Sequence, residues 1–217
     1  MRSDLLRIET VTCLISSGII AVIRADCPEL AARTAEACLA GGIKAVEIAY
    51  TTPDASEVIR HLREKYAADV LTGAGTVIDS ETARAAILAG AQYIVAPSVN
   101  ENTARLCNRY QVPYLPGAST ISEVISAMEV GASIVKIFPG ETLGPAFIRA
   151  VHGPLPQAPL MPTGGVTVEN AREWLSAGCV ALGVGSNLTR DAKSGDFAAV
   201  TALARKFVEV VRDARND

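Results

Sequence analysis

Residues 28–49 read PELAARTAEACLAGGIKAVEIA and contain one complete helix-to-strand unit. The first part is rich in Ala, Glu, Leu and Arg, with helical periodicity. Gly41 follows at the point where a helix that turns into a strand needs a left-handed residue. The segment KAVEIA, 44–49, then has the apolar character of a strand that is buried on both faces. This unit is repeated along the chain.

The strand-like segment recurs at intervals of roughly 20–25 residues, the length of one strand and one helix. The eight segments are IIAVI (19–23), KAVEIA (44–49), DVLTG (69–73), QYIVAP (92–97), VPYLPG (112–117), SIVKIFP (133–139), PLMPTG (159–164) and VALGVG (180–185). The stretch SDLLRIETVTCLISSG adds a helix before the first strand and ends at Gly18. Eight alternating strands and helices predict an α/β protein, a (β/α)₈ TIM barrel with an extra N-terminal helix.

Two kinds of glycine-containing junction alternate along these repeats. The helices before the even-numbered strands end at Gly41, Gly90, Gly131 and Gly178, which we predict to be left-handed C-caps. The odd-numbered strands end in GAGT (73–76), PGAST (116–120) and TGGVT (163–167), where the glycines predict tight turns. No linker or shift in composition divides the chain, so we expect residues 1–217 to form a single domain.

The composition is typical of a cytosolic enzyme. The 217 residues include 20 Lys and Arg against 23 Asp and Glu, a formal net charge of −3, and 5% are aromatic. This balance, without a basic cluster, argues against binding to nucleic acid or to an anionic membrane. Five cysteines without a CxxC pair and two distant histidines fit neither a disulfide framework nor a metal site. With no visible signal peptide or membrane span, we expect a cytoplasmic protein without a metal.

Two ionisable residues stand inside otherwise apolar strands, Glu47 in the second strand and Lys136 in the sixth. Alternation puts Glu47 on the same face as Ala45 and Ala49, and the branched residues between them on the face toward the helices. The second and sixth strands lie opposite each other in a closed barrel, so we expect the two charges to face each other inside it. A buried ion pair without chemistry is the alternative. The attraction within such a pair seldom exceeds the free energy lost when both charges leave water, so a purely structural pair is less favoured than an active site.

These residues predict covalent chemistry on a carbonyl compound. Burial favours the neutral amine of a lysine, a nucleophile that forms imines with ketones and aldehydes, and a carboxylate opposite it can move protons. In these barrels the loops after the seventh and eighth strands commonly bind phosphate. Here those loops hold Thr163, Gly164, Gly165, Gly185 and Ser186, and Arg24 follows the neighbouring first strand. The pattern is that of a Schiff-base lyase with a phosphate subsite.

Several stretches occur in an order and spacing that together are highly specific. They are GIIAVIRA, GGIKAVEIAYTTPDA, GAGTV, VAPSVN, PYLPGAST, IVKIFPGE, MPTGGV and GVGSNL. In these stretches, and over essentially residues 17–210, the chain resembles the family of 2-keto-3-deoxy-6-phosphogluconate (KDPG) and 4-hydroxy-2-oxoglutarate (KHG) aldolases. The resemblance implies a homotrimer. It also implies a small-molecule 2-oxo acid, such as a phosphorylated sugar acid, as the substrate.

The resemblance also implies roles for individual residues. Lys136 would be the Schiff-base lysine and Glu47 the general acid/base. Thr76 and Pro97 would lie near the pyruvyl end, Pro116 and Phe138 would line the pocket, and Thr163 would lie between the two ends. Arg24, Gly164, Gly165, Gly185 and Ser186 match the phosphate-side positions. Some members carry an arginine four residues after the glutamate as a carboxylate ligand, but this chain has Thr51, so carboxylate binding would rest more on Thr76 and backbone amides.

We interpret the sequence as that of a class I aldolase that needs no metal or organic cofactor. Its expected reactions are cleavage of KDPG to pyruvate and glyceraldehyde 3-phosphate, and of KHG to pyruvate and glyoxylate. An alternative with the same chemistry is 2-dehydro-3-deoxy-6-phosphogalactonate aldolase. Two further alternatives share the fold: a phosphosugar isomerase or epimerase, which needs no buried lysine, and a barrel that binds a phosphorylated ligand without catalysis.

Overall fold

Strands and helices alternate along the chain, as the repeats predict. The computed structural model describes residues 2–66 and 69–216. The strands are β1 (Ile19–Ile23), β2 (Ala45–Ala49), β3 (Leu71–Gly75), β4 (Ile94–Val95), β5 (Tyr114–Leu115), β6 (Gly117–Ala118), β7 (Val135–Ile137), β8 (Leu160–Pro162) and β9 (Leu182–Val184). The helices are α1 (Arg2–Ser17), α2 (Pro28–Ala40), α3 (Ala55–Tyr66), α4 (Ser80–Leu88), α5 (Glu101–Tyr110), α6 (Ile121–Glu129), α7 (Gly140–His152), α8 (Val168–Ser176), α9 (Ser186–Thr189), the 3₁₀ helix η1 (Arg190–Ser194) and α10 (Phe197–Asn216).

The parallel strands close into a barrel. Hydrogen-bonded neighbours follow the order β5-β4-β3-β2-β1-β9 in one sheet and β6-β7-β8 in the other. Segments β5 and β6 are the two halves of the predicted fifth strand, which is interrupted at Pro116, a residue without an N–H group. The carbonyl of Pro116 accepts the Lys136 N–H at 2.9 Å, and a bridge between Thr163 and Gly183 joins the sheets on the other side. The predicted (β/α)₈ barrel is confirmed, and β7, β8 and β9 are its sixth, seventh and eighth strands.

Side chains alternate between the inside of the barrel and the layer under the helices. The inner cluster consists of Leu14, Ile20, Ala45, Tyr93, Val95, Leu115, Ile134, Met161 and Ala181. Val46, Ile48, Val135 and Ile137 belong to the larger outer cluster. The predicted facing of the second and sixth strands is therefore confirmed. Leu14 comes from α1, so the extra helix closes the N-terminal end of the barrel.

Arg215 of α10 ties three segments together at that closed end. Its guanidinium donates to the carbonyls of Ile15 and Ser16 at 2.6 Å each, and to the carbonyl of Val180 at 2.8 Å. Residues 15 and 16 lie in the last turn of α1, where a helix leaves carbonyl groups without intrahelical partners. The contact therefore fixes the extra helix against the segment that leads into β9.

One of the four predicted left-handed C-caps is wrong. Gly41 is right-handed, with φ of −78°, and the left-handed residue is Gly42, with φ of +99°. A side chain at Gly41 would collide with Ala204 of α10, so this glycine is needed for helix packing. Gly90, Gly131 and Gly178 have positive φ, as predicted. Within the described residues, no helix combines the length and apolarity that a membrane span needs.

Candidate active site

Glu47 and Lys136 project into the barrel from opposite strands, β2 and β7. Glu47 is fully buried and Lys136 is 6% exposed. Neither carboxylate oxygen of Glu47 has a hydrogen-bond partner within the described residues. Burial raises the pKa of Glu47, while the charges of Lys136 and Arg24 act in the opposite direction. Glu47 and Lys136 thus interact through their charges without a hydrogen bond between them, an arrangement that leaves both groups available to a reacting molecule.

Strand β3 provides the space for the Glu47 carboxylate. A side chain at Gly75 would collide with that carboxylate, and a side chain at Gly73 would collide with the ring of Tyr93. The sequence predicts a turn at GAGT after a third strand at 69–73, but both glycines lie inside Leu71–Gly75. Tyr93 donates its hydroxyl hydrogen to the carbonyl of Val46 at 2.7 Å. Burial, together with the nearby Glu47, raises the pKa of Tyr93, so its ring forms an uncharged floor beside Glu47.

The surroundings of Lys136 include three of the predicted pocket residues. The Lys136 Nζ atom lies 5.1 Å from the ring centroid of Phe138, which is 38% exposed and stands at the mouth of the barrel. In the strand ladder Lys136 pairs with Gly117, another glycine that was predicted in a turn but lies in a strand. A side chain at Gly117 would collide with the carbonyl of Pro97. Phe138 thus lies beside the lysine side chain, Pro116 accepts the backbone N–H of Lys136, and Pro97 lies against Gly117, the ladder partner of Lys136.

A hydrogen bond joins the carboxyl ends of β1 and β3. Arg24 donates from Nη2 to the Thr76 Oγ1 atom at 3.2 Å. Thr76 has φ of +57°, a left-handed conformation that is uncommon for a β-branched residue and is often found at functional sites. The Ala25 N–H donates to the Thr52 hydroxyl at 3.2 Å, which holds the loop after β1 against the loop after β2. The structure thus places Arg24 and Thr76 together, close enough to Glu47 for the Arg24 charge to act on it.

A cavity of about 560 Å³ opens at the same end of the barrel. Its lining contains all the predicted phosphate-side residues, together with Thr163 and Phe138: Arg24, Phe138, Thr163, Gly164, Gly165, Gly185 and Ser186. Gly164 and Gly165 have φ of +94° and +70°, conformations that glycine adopts freely, and they form the predicted turn after β8. The Thr163 hydroxyl is buried and has no hydrogen-bond partner in the described chain. Lys136 and Glu47 do not line this cavity and lie within the barrel.

Sequence reasoning missed several charged and polar residues of the cavity. They are Asp26, Glu141, Asn187, Arg190 and Lys193. Most of them could have been predicted from their closeness in the sequence to residues that were already candidates for the site. Asn187, Arg190 and Lys193 follow Ser186 closely, and Glu141 is the last residue of the stretch IVKIFPGE. The cavity therefore carries cations from the segment after β9 and carboxylates from the segments after β1 and β7.

The arrangement suits covalent chemistry on a small anionic carbonyl compound. A buried amine can add to a carbonyl group, and a carboxyl group whose pKa is raised by burial holds its proton more readily and can pass it to a bound molecule. The neighbouring cavity offers backbone amides and cations to an anion. Across residues 2–66 and 69–216, no group of three His, Cys, Asp or Glu side chains is arranged to hold a metal ion.

Comparisons with known proteins agree on one family. Residues 11–203 match the family model described as KDPG and KHG aldolase. The chain is 36% identical over 197 residues to 2-dehydro-3-deoxy-6-phosphogalactonate aldolase of Escherichia coli K12, covering 90% of this chain and 95% of that protein. It is 37% identical over 197 residues to 2-dehydro-3-deoxy-phosphogluconate aldolase of Treponema pallidum, covering 89% and 93%. The crystal structure of KDPG aldolase from Legionella pneumophila, with pyruvate captured as a covalent carbinolamine, has a TM-score of 0.81 at 27% identity, covering 94% of this chain and 97% of that one.

Proposed function

The chain belongs to the KDPG and KHG aldolase family and is an aldolase, and we propose that it cleaves KDPG to pyruvate and glyceraldehyde 3-phosphate, and KHG to pyruvate and glyoxylate. The observation that carries this proposal is the burial of Lys136 and Glu47 on opposite strands of one barrel, next to a cavity lined by cations and glycine-rich loops.

Lys136 is the proposed nucleophile. Its neutral amine attacks the C2 ketone of the 2-oxo acid and forms a carbinolamine. Glu47, through a water molecule, donates the proton with which the carbinolamine hydroxyl leaves as water, and the imine forms. The 5.1 Å between the Lys136 Nζ atom and the Phe138 ring centroid supports this role, because it places the buried amine next to a residue that is exposed at the mouth of the barrel, where a substrate can enter.

Glu47 is the proposed acid and base of the carbon–carbon cleavage. Its carboxylate takes the proton of the C4 hydroxyl, the C3–C4 bond breaks, and the bonding electrons move into the protonated imine to give an enamine. The aldehyde then leaves, C3 of the enamine is protonated, and water hydrolyses the imine to pyruvate and the free lysine amine. The raised pKa of Glu47 supports this role, because a carboxyl group that titrates closer to neutrality can both donate and accept protons.

The carboxylate of the 2-oxo acid is proposed to bind at Arg24 and Thr76. The family resemblance places Arg24 on the phosphate side, but its hydrogen bond to Thr76 supports a role at the pyruvyl end. Thr51 stands where some relatives have an arginine, so Arg24 supplies the guanidinium that this position lacks. A guanidinium binds a carboxylate through two parallel N–H donors, which a threonine hydroxyl cannot do.

The phosphate group is proposed to bind at the loops after β8 and β9. Gly164, Gly165 and Gly185 allow backbone N–H groups to approach an anion, and Ser186 adds a hydroxyl donor. Arg190 and Lys193 add positive charge at the rim of the same cavity. This division assigns the two anionic ends of the substrate to different residues of one cavity, because Arg24 and both loops line it.

Phosphogalactonate is the second candidate substrate. It differs from KDPG in the configuration of one hydroxyl group, and the phosphogalactonate relative is as similar to this chain as the phosphogluconate relative. The measurement that separates the two is kcat/KM for each epimer. A ratio above about ten in favour of phosphogalactonate would reassign the physiological substrate without changing the mechanism.

Borohydride reduction in the presence of pyruvate tests the mechanism. An imine-forming lysine is converted into a stable secondary amine, so the protein should gain the mass of the reduced pyruvyl group at Lys136 and lose its activity. A phosphosugar isomerase, or a barrel that only binds its ligand, would remain unmodified. An unmodified protein, or modification at another lysine with Lys136 intact, would overturn the proposal.

We further propose that copies of the chain assemble as a cytoplasmic homotrimer. Ile121 and Ile125 lie one turn apart on α6 and are each 39% exposed, which supports an interface on this helix. The five cysteines are free thiols, as expected in a reducing compartment. Light scattering should give the mass of a trimer, and the double variant Ile121→Glu plus Ile125→Glu should give the mass of a monomer. A trimer that survives both changes would place the interface elsewhere.

A further inference from the structure

Glu141 brings a carboxylate into the cavity that is proposed to bind phosphate. It lies in the first turn of α7 and lines the cavity next to Thr163, Gly164 and Gly165. One carboxylate oxygen rests against Gly164, where an added side chain would collide with it, and the backbone of Glu141 rests against Gly165. In the part of the chain that the structure describes, no hydrogen bond or ion pair engages this carboxylate. Glu141 is therefore an exposed, unpaired acceptor, and it lines the cavity together with a second carboxylate, Asp26, among cations and glycine turns.

The backbone fixes Glu141 between the lysine strand and the phosphate loop. The Gly140 N–H donates to the carbonyl of Thr163 at 2.8 Å. A side chain at Gly140 would come within 2.5 Å of the carbonyl oxygen of Gly164, so the two glycines are packed directly on each other. Since α7 follows β7, which carries Lys136, the carboxylate lies on the segment that leads from the lysine strand to this cavity, against the glycine turn after β8.

The chemistry of a carboxylate restricts what it can bind at this position. An ionised carboxylate only accepts hydrogen bonds, and it repels a phosphate group. The phosphate must therefore keep to the loop amides and to the cations Arg190 and Lys193. The group next to Glu141 has to be a donor, and in a sugar acid that donor is a hydroxyl group.

The six-carbon substrate has one hydroxyl group in this position. Its ketone carbon is bonded to Lys136, its C4 hydroxyl gives its proton to Glu47, and its phosphate is on C6. The remaining donor is the hydroxyl on C5. We propose that Glu141 accepts a hydrogen bond from the C5 hydroxyl and so selects aldehydes that carry a hydroxyl group next to the carbonyl carbon. This inference rests on the proposed aldolase function.

The experiment compares two phosphorylated aldehydes in the direction of aldol addition. With pyruvate saturating, kcat/KM is measured for D-glyceraldehyde 3-phosphate and for 3-phosphooxypropanal, which lacks only the hydroxyl group in question. The variant Glu141→Ala should lower kcat/KM for glyceraldehyde 3-phosphate by roughly 10- to 100-fold, the usual range for a hydrogen bond to a charged group. It should change kcat/KM for 3-phosphooxypropanal by less than about 3-fold, since that aldehyde makes no such bond. Glu209→Ala, on α10 and outside the cavity, should leave both values unchanged.

Each result supports or overturns the inference. An equal loss for both aldehydes, or no loss for glyceraldehyde 3-phosphate, would show that Glu141 does not recognise the hydroxyl group. A wild-type protein that forms no product from pyruvate and glyceraldehyde 3-phosphate would instead overturn the proposed function. Borohydride trapping of pyruvate checks that each variant keeps a working lysine. If Glu141→Ala does not fold, Glu141→Gln replaces it, and it should show a smaller loss that is still confined to glyceraldehyde 3-phosphate.

Discussion

The carboxylate of Glu47 occupies the space that a side chain on Gly75 would need. The two residues come from neighbouring strands, where Glu47 pairs with Gly73 and Ala49 pairs with Gly75. Glu47 therefore leans along its strand toward the carboxyl end of the barrel, over the second glycine of the GAGT stretch. The position of the proposed acid/base thus depends on the absence of one methyl group on the next strand.

The variant Gly75→Ala tests that dependence. The new methyl group should displace the Glu47 carboxylate and lower kcat by roughly 100-fold, because small misplacements of a catalytic group have effects of this size. Crowding inside the barrel should also cost about 1–3 kcal/mol of unfolding free energy. Steady-state kinetics measure the change in kcat, and denaturant unfolding measures the change in unfolding free energy. Gly153→Ala, where the nearest atom would lie at 3.3 Å, is the matched control. A stable Gly75→Ala protein with full turnover would contradict this account.

Lys136→Arg should abolish aldol cleavage. The guanidinium keeps the positive charge but cannot lose its proton in a protein, so it cannot act as an amine nucleophile. We expect less than about one percent of wild-type turnover, together with loss of borohydride trapping by pyruvate. Circular dichroism serves as the control for folding. Turnover above that level would remove Lys136 from the mechanism.

Glu47→Gln should lower turnover by roughly two to four orders of magnitude, the usual contribution of a general acid/base. The amide is nearly isosteric with the carboxyl group, so the space over Gly75 stays filled and the fold should persist. The measurement is kcat over a range of pH, where the limb that reports the carboxyl group should disappear. Unchanged turnover would reduce Glu47 to a structural partner of Lys136.

The same variant should change the pH dependence of stability. Because burial raises the pKa of Glu47, the folded protein binds this proton more tightly than the unfolded chain does. The resulting stabilisation is present below the unfolded pKa of about 4.3 and is lost as the pH rises through the higher folded value. Relative to wild type, Glu47→Gln should therefore gain stability between pH 4 and pH 8. Denaturant unfolding at both pH values measures this difference. A difference that does not change with pH would contradict the raised pKa.

Arg24→Ala and Ser186→Ala should separate the two anionic ends of the substrate. If Arg24 binds the carboxylate, its loss should lower kcat/KM by similar factors for KDPG and KHG, since both substrates are 2-oxo acids. If Ser186 binds the phosphate, its loss should lower kcat/KM for KDPG by roughly tenfold and leave KHG nearly unchanged. Both variants are assayed with both substrates at one ionic strength. A loss confined to KDPG in Arg24→Ala would return Arg24 to the phosphate side.

Much of the fold and of the pair inside the barrel could be predicted from the sequence. Strand residues alternate strictly between two faces, so a charge in an apolar strand has only two possible directions, and the branched neighbours of Glu47 and Lys136 decide between them. The order of strands in a closed barrel then places the two charges on opposite sides. Both predictions depend on regular geometry and on nothing specific to the loops.

The features that could not be predicted depend on contacts between distant segments. Gly73 and Gly75 suggest a turn by local preference, but both lie within β3, where Tyr93 and Glu47 occupy the space that their side chains would need. Gly41 resembles a helix cap in the sequence, but in the structure the absence of a side chain there allows α10 to pack closely against it. The hydrogen bond between Arg24 and Thr76 joins two loops, and its existence depends on how both loops leave the barrel.

Because β1 pairs with β9, the first strand cannot complete its hydrogen bonds until the last strand has been synthesised. Ile20 pairs with Gly183, so one edge of β1 stays open until almost the whole chain has left the ribosome. At about 5–20 residues per second this delay is on the order of ten seconds. An open parallel edge is a site where chains can aggregate. Expression at low temperature or with chaperones should therefore change the yield of this protein more than its stability once folded.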